Sequence, residues 1–108
     1  RGQRRQLMAM EMRIKQLVPS HAPLVIAGDF NDWHGTASRI LVKHLELTEV
    51  FEQAHGKTAR SYPSVFPLLR LDRIYVRGFQ VRNACVHQSG NWSRISDHAA
   101  LSANIVRA

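Results

Sequence analysis

The chain has 108 residues, 15 Lys+Arg against 8 Asp+Glu, and a formal net charge of +7. That length holds one domain with a small core, and the 44% of apolar residues distributed along it excludes an intrinsically disordered chain. No apolar run approaches the ~20 residues of a membrane span. The single cysteine, Cys85, excludes an internal disulfide framework and a Cys-rich zinc module.

In chain order, Arg1-Gly2-Gln3-Arg4-Arg5 is basic but no apolar stretch follows, so a secretory signal is not expected. The absence of Met at position 1, with a helical pattern beginning almost at once, leads us to expect a piece of a longer chain. A lone cysteine fits a reducing compartment, and a cytoplasmic location is expected. Residues 3–18 predict an amphipathic helix, with Leu7, Met10, Ile14 and Leu17 at helical spacing and Pro19 ending the run. Met8, Met10 and Met12 are expected to fill the core. Leu24-Val25-Ile26-Ala27 reads as a strand buried on both faces, closed by Gly28.

Residues 36–55 predict a helix in two pieces, the second capped by Thr48 and ending at Gly56. Residues 57–69 form a loop with Pro63 and Pro67. Residues 71–76 predict a strand, Gly78 a turn and residues 79–87 the returning strand, in which Cys85 is expected to be a small core residue. A polar loop over 88–96 precedes a last strand over 99–106, where Leu101, Ala103 and Ile105 alternate with Ser102 and Asn104. The order predicts a mixed α/β class, a sheet covered by helices.

Charge is unevenly placed. Residues 1–52 carry seven Lys/Arg against six acids, and residues 53–108 carry eight against two. Twelve of the fifteen bases are Arg, whose planar fork suits phosphate, so the basic half fits a polyanionic partner or, more plainly, an arginine-rich surface. The two acids that the basic half retains, Asp72 and Asp97, both lie in motifs.

The first motif is Gly28-Asp29-Phe30-Asn31-Asp32. A carboxylate just beyond the C-terminal end of a buried strand lies on the edge where mixed sheets collect ligands. Asp29 there can take a proton from water, and Asn31 can donate to an anionic oxygen. An ordinary Asp/Asn turn after a strand is the plainer reading. The second is Leu71-Asp72-Arg73-Ile74-Tyr75-Val76, where an acid inside an apolar strand needs a cation or a His. Arg73, pointing to the other face, is not expected to be that partner. The third is Ser96-Asp97-His98, an acid beside an imidazole just before the last strand.

In this order the three motifs resemble the C-terminal half of the endonuclease/exonuclease/phosphatase superfamily, with its Gly-Asp-Phe-Asn turn, Leu-Asp-Arg-Ile strand and terminal Ser-Asp-His. The resemblance spans essentially the whole chain, and residues 66–77 are similar to an uncharacterised bacterial subgroup. It implies α/β (α+β) architecture, half of a four-layered sandwich: a mixed, mostly antiparallel sheet with helices on one face. Residues 1–108 would be the C-terminal part of one domain. The implied activity is divalent-metal-dependent hydrolysis of a phosphodiester or phosphomonoester by a nuclease-like hydrolase. Asp29 would orient or deprotonate the attacking water, and Asn31 would hydrogen-bond a phosphoryl oxygen. His98 would stabilise the charge growing on the phosphate, Asp72 would hold its imidazole, and Asp97 would sit at the metal. That division of labour suits phosphoryl transfer, which needs positioning and charge stabilisation more than covalent chemistry.

The family's N-terminal half, which brings the main ligand for Mg²⁺ (or Mn²⁺), is absent, so this chain alone is expected to be inactive. Trp33, His34, Tyr62, Arg73 and Trp92 are candidates for substrate contacts. The partners expected are a phosphate ester, nucleic acid included, and a second copy of the chain packed on a bare sheet face containing Ile74, Val76, Leu101 and Ala103. Two other readings carry weight: a phospholipid or inositol-phosphate hydrolase of the same family, and a non-catalytic basic module binding nucleic acid or acidic lipid.

Overall fold

The computed structural model describes residues 2–29, 36–57, 59, 72–87 and 100–108. Along them run α1 (Gly2–Leu17), β1 (Leu24–Asp29), α2 (Thr36–Leu45), β2 (Thr48–Glu49), α3 (Val50–His55), β3 (Asp72–Arg77), β4 (Phe79–His87) and β5 (Ala100–Arg107). Among the described residues two antiparallel sheets form, one of order β1-β3-β2 and one the pair β4-β5. The fold is mixed α+β, with α1 and α2 together on one face of the larger sheet, consistent with a partial α/β sandwich. Among the described residues no helix is long and apolar enough to cross a membrane.

The larger sheet is held from both sides. Toward α1 and α2, Tyr75 packs with Leu41, Leu45 and Leu47, and Met10, Ile14, Leu24 and Ile26 close around them. Toward α3 and the second sheet, Val76 packs with Val50, Phe51, Ala59 and Ala84, flanked by residues of β3, β4 and β5. Each such large side chain fully removed from water contributes about 1.5–3 kcal/mol. Only Met10 of the three methionines joins the core; Met8 and Met12 are exposed, and so is Leu17 in the last turn of α1.

Strand β1 is not buried on both faces. Leu24 and Ile26 turn inward, but Val25 is 48% exposed and Ala27 is exposed as well. The uninterrupted apolar run conceals an alternation because Val25 and Ala27 face the uncovered side of an edge strand. The expected bare face also moves. Val76 is 1% exposed, and Ile74, Leu101 and Ala103 pack around its cluster, so the open apolar side lies at β1.

Strand β4 does not return along β3. One residue, Gly78, separates the two, and a hairpin needs at least a two-residue turn. Gly78 instead takes φ +82 and redirects the chain into the second sheet, and a Cβ there would meet Pro23 Cα at 3.2 Å. Within β4 a bulge between Val81 and Asn83 shifts the alternation by one. Ala84 therefore points inward and Cys85 is exposed, the reverse of its expected core position.

Thr48 is not the cap of α3. It lies in β2, and Glu49 caps the helix by accepting from the Glu52 amide at 2.8 Å. Gly56 closes the helix in the left-handed conformation at φ +80, its amide donating to the Glu52 carbonyl.

Candidate active site

Antiparallel pairing of β1 with β3 sets the geometry. The register runs from Leu24 opposite Arg77 to Asp29 opposite Asp72. Directly opposed residues share one face, with Cβ atoms about 4.5–5.5 Å apart, so the two acids of separate motifs, 43 positions apart in sequence, stand side by side at one end of the sheet. Opposed like charges are unfavourable unless something positive compensates them. This pairing follows from the apolar stretches alone: once Ile26 faces Tyr75 and Ala27 faces Ile74, the carboxylates must meet.

The neighbouring pair is Gly28 opposite Arg73. A Cβ at Gly28 would meet nothing within 4 Å, so the strand end is open above it. Arg73 is 3% exposed, and its Nη1 donates to the Asp72 carbonyl oxygen at 3.3 Å. A cleft of about 200 Å³ lies here, lined by Ala27, Gly28, Asp72, Arg73, Ile74 and Leu101. A second groove of about 300 Å³ runs from Asp29 along β1 to Gln6, Leu7 and Met10 of α1.

A residue that sequence reasoning missed stands behind Arg73. Glu49 is 2% exposed, and its two carboxylate oxygens accept from the amides of Glu52 at 2.8 Å and Ile74 at 3.2 Å. Burial pushes its carboxyl above the usual range, against the opposing pull of those amides and of the Arg73 charge. The signal available was an acid set between Leu47 and Val50-Phe51, and an Arg inside an apolar strand: opposite charges that each need a buried partner.

Of the residues expected at the site, the structure brings together Asp29, Asp72 and Arg73. Asn31, Trp33, His34, Tyr62, Trp92, Asp97 and His98 lie outside the described residues. Two opposed carboxylates offer the hard oxygen donors that Mg²⁺ prefers. Among the described residues, however, no group of three or more His, Cys, Asp or Glu could hold a metal ion. These residues do not by themselves make a divalent-cation site.

The described residues thus set two opposed carboxylates at the end of an antiparallel sheet in a mixed α+β fold, beside an open cleft. Residues 1–98 match the Endonuclease/Exonuclease/phosphatase family, and the chain belongs to it. It is 46% identical over 88 residues to the uncharacterized protein YbhP of Escherichia coli K12, a match covering 82% of this chain and 35% of that one. The same figures hold for YbhP of Shigella flexneri. Its fold is similar to that of a functionally unknown conserved protein from Enterococcus faecalis V583, with TM-score 0.74, 23% identity, and coverage of 94% of this chain and 44% of that one. It is also similar to an endonuclease/exonuclease/phosphatase family protein from Bacteroides thetaiotaomicron, with TM-score 0.68 and 21% identity over 94% of this chain and 43% of that one. The chain thus spans about a third of its curated relatives and under half of the related solved structures.

Proposed function

We propose that the full-length protein hydrolyses a phosphodiester or phosphomonoester in a nuclease-like manner, and that residues 1–108 are the C-terminal part of its single catalytic domain. The observation that carries this reading is the register that sets Asp29 directly opposite Asp72 at an open strand end. Leu101, three positions after His98 in sequence, lines the same cleft as Asp72 and so supports the inclusion of the third motif.

In this reading Asp29 orients the attacking water and takes its proton, while Asn31 donates to a phosphoryl oxygen. His98 donates to the oxygens on which charge accumulates, and Asp72 holds the imidazole in place. Asp97, with ligands from the rest of the full-length protein, would hold Mg²⁺ or Mn²⁺. The described residues do not themselves assemble a site for it. A homodimer formed through the open side of β1 belongs to the same proposal.

The test is a hydrolysis panel on the full-length protein: nucleic acid, phospholipid and bis(4-nitrophenyl) phosphate, each with Mg²⁺ and with EDTA. EDTA-sensitive release is expected. Asp29→Ala and His98→Ala should each lower turnover about a hundredfold or more, the scale of one lost transition-state contact. Weakened affinity with turnover intact would move both residues from catalysis to binding.

A further inference from the structure

The pairing of β2 with β3 stops early. Only Thr48 opposite Val76 and Glu49 opposite Tyr75 are paired, because at Val50 the chain turns into α3. From residue 74 toward residue 72, the β2 side of β3 has no backbone partner from β2. Glu49 fills the first of these positions with its side chain, its Oε2 accepting from the Ile74 amide that a longer β2 would have taken. Its Oε1 caps α3 at the Glu52 amide. Its charge also faces the buried Arg73, which in turn donates to the Asp72 carbonyl. One carboxylate thus ties the start of α3 to the edge of β3 two residues after Asp72.

We infer that Glu49 is a positioning residue for the active site: by holding the Ile74 amide, it sets where β3 presents Asp72. This inference rests on the proposed role of Asp72. The cap alone would make Glu49 merely structural, since an N-cap acid stabilises a helix in any protein. The hydrogen bond from the Ile74 amide is what a cap does not need. A buried, polar support of this kind behind a reacting group acts by fixing orientation, and losing one typically lowers activity about 10- to 100-fold.

Glu49→Asp separates the two roles. Asp is a strong N-cap, so α3 keeps its start, but the side chain is one methylene too short to reach the Ile74 amide. In the full-length protein, Glu49→Asp should melt within a few degrees of wild type, and exchange at the Ile74 amide should quicken. With bis(4-nitrophenyl) phosphate and Mg²⁺, kcat should fall about tenfold or more while KM stays within about twofold. The Asp72 backbone amide, followed by ¹⁵N NMR in the same protein, should move from its wild-type position. Unchanged kcat beside a lost Ile74 contact would overturn the inference and leave Glu49 a cap. If wild type hydrolyses nothing, the proposed function fails, and the Asp72 amide resonance still judges the positioning: an unchanged one overturns it and a displaced one upholds it. Should Glu49→Asp not fold, Glu49→Gln, whose single amide oxygen can accept at only one of the two amides, is judged on the same readouts.

Discussion

Arg77, at the far end of β3 from Asp72, donates to three carbonyls: Ala22 at 3.0 Å, Leu45 at 2.9 Å and Pro19 at 3.1 Å. Leu45 ends α2, and Pro19 and Ala22 lie in the connection from α1 to β1. Carbonyls at helix ends lack intrahelical donors and carry partial negative charge, so a guanidinium there satisfies and neutralises them together. Arg77→Ala should lower stability by about 2–3 kcal/mol, from charge-assisted bonds lost in a half-buried setting. Urea unfolding measures it. Arg77→Lys, with no planar fork, should recover only part. A loss below about 0.5 kcal/mol would mean that water replaces the three bonds at no cost. With Arg73 buried and Arg77 occupied by the fold, two of the eight bases in the second half are not surface charge for a polyanion.

Helices α1 and α2 are joined through one carboxylate. His44 Nδ1 donates to Glu11 Oε1 at 2.8 Å, and Lys15, one turn on along α1, lies 3.1 Å from Glu11 Oε2. The His44 hydrogen bond is the main influence lowering the Glu11 carboxyl, with Lys15 adding to it against a smaller opposing effect of burial. A carboxyl lowered on folding stabilises the fold above its unfolded value of about 4.5, and that contribution fades as pH falls through the lower folded value. Glu49 has the opposite sign: its raised carboxyl favours the fold most when protonated, below about 4.5, and less as pH rises through the raised value. Unfolding free energies between pH 3 and 6 should therefore fall less steeply toward acid in Glu11→Gln than in wild type. Parallel curves would show that the α1–α2 contact contributes nothing to stability.

At the scale of the whole molecule, the open apolar side of β1 is the feature a second copy would cover. Val25 and Ala27 are exposed on a six-residue strand at one edge of its sheet, with β3 on its other side. Edge strands of this kind pair with other chains unless something blunts them. Sedimentation of the 108-residue chain at micromolar concentration should give twice the chain mass. Val25→Asp, which sets a charge on that side, should return it to the monomer. A wild-type monomer would remove the dimer from the proposal without touching the Asp29–Asp72 register.

Much of this was written in local sequence. The strand over Phe79–His87, the alternation of Leu101, Ala103 and Ile105, the helix stopped at Pro19 and the cap at Gly56 all follow from period and turn chemistry. The three motifs were enough to point to the family, because they are short, ordered and chemically specific. What local sequence did not carry was which side of each element is covered and by what. Val25 and Ala27 read as buried until an edge position left them open. Cys85 read as core until a bulge turned it outward, and β4 read as the partner of β3 until a one-residue corner sent it to β5. Asp29 and Asp72 became neighbours only through a register set by apolar residues elsewhere on their strands. Glu49 gained its partners only when β2 ended one residue short of Ile74. Periodicity and turn chemistry act over a few residues and are legible in any window. Burial, register and pairing depend on residues distant in sequence, and only the tertiary structure brings those together.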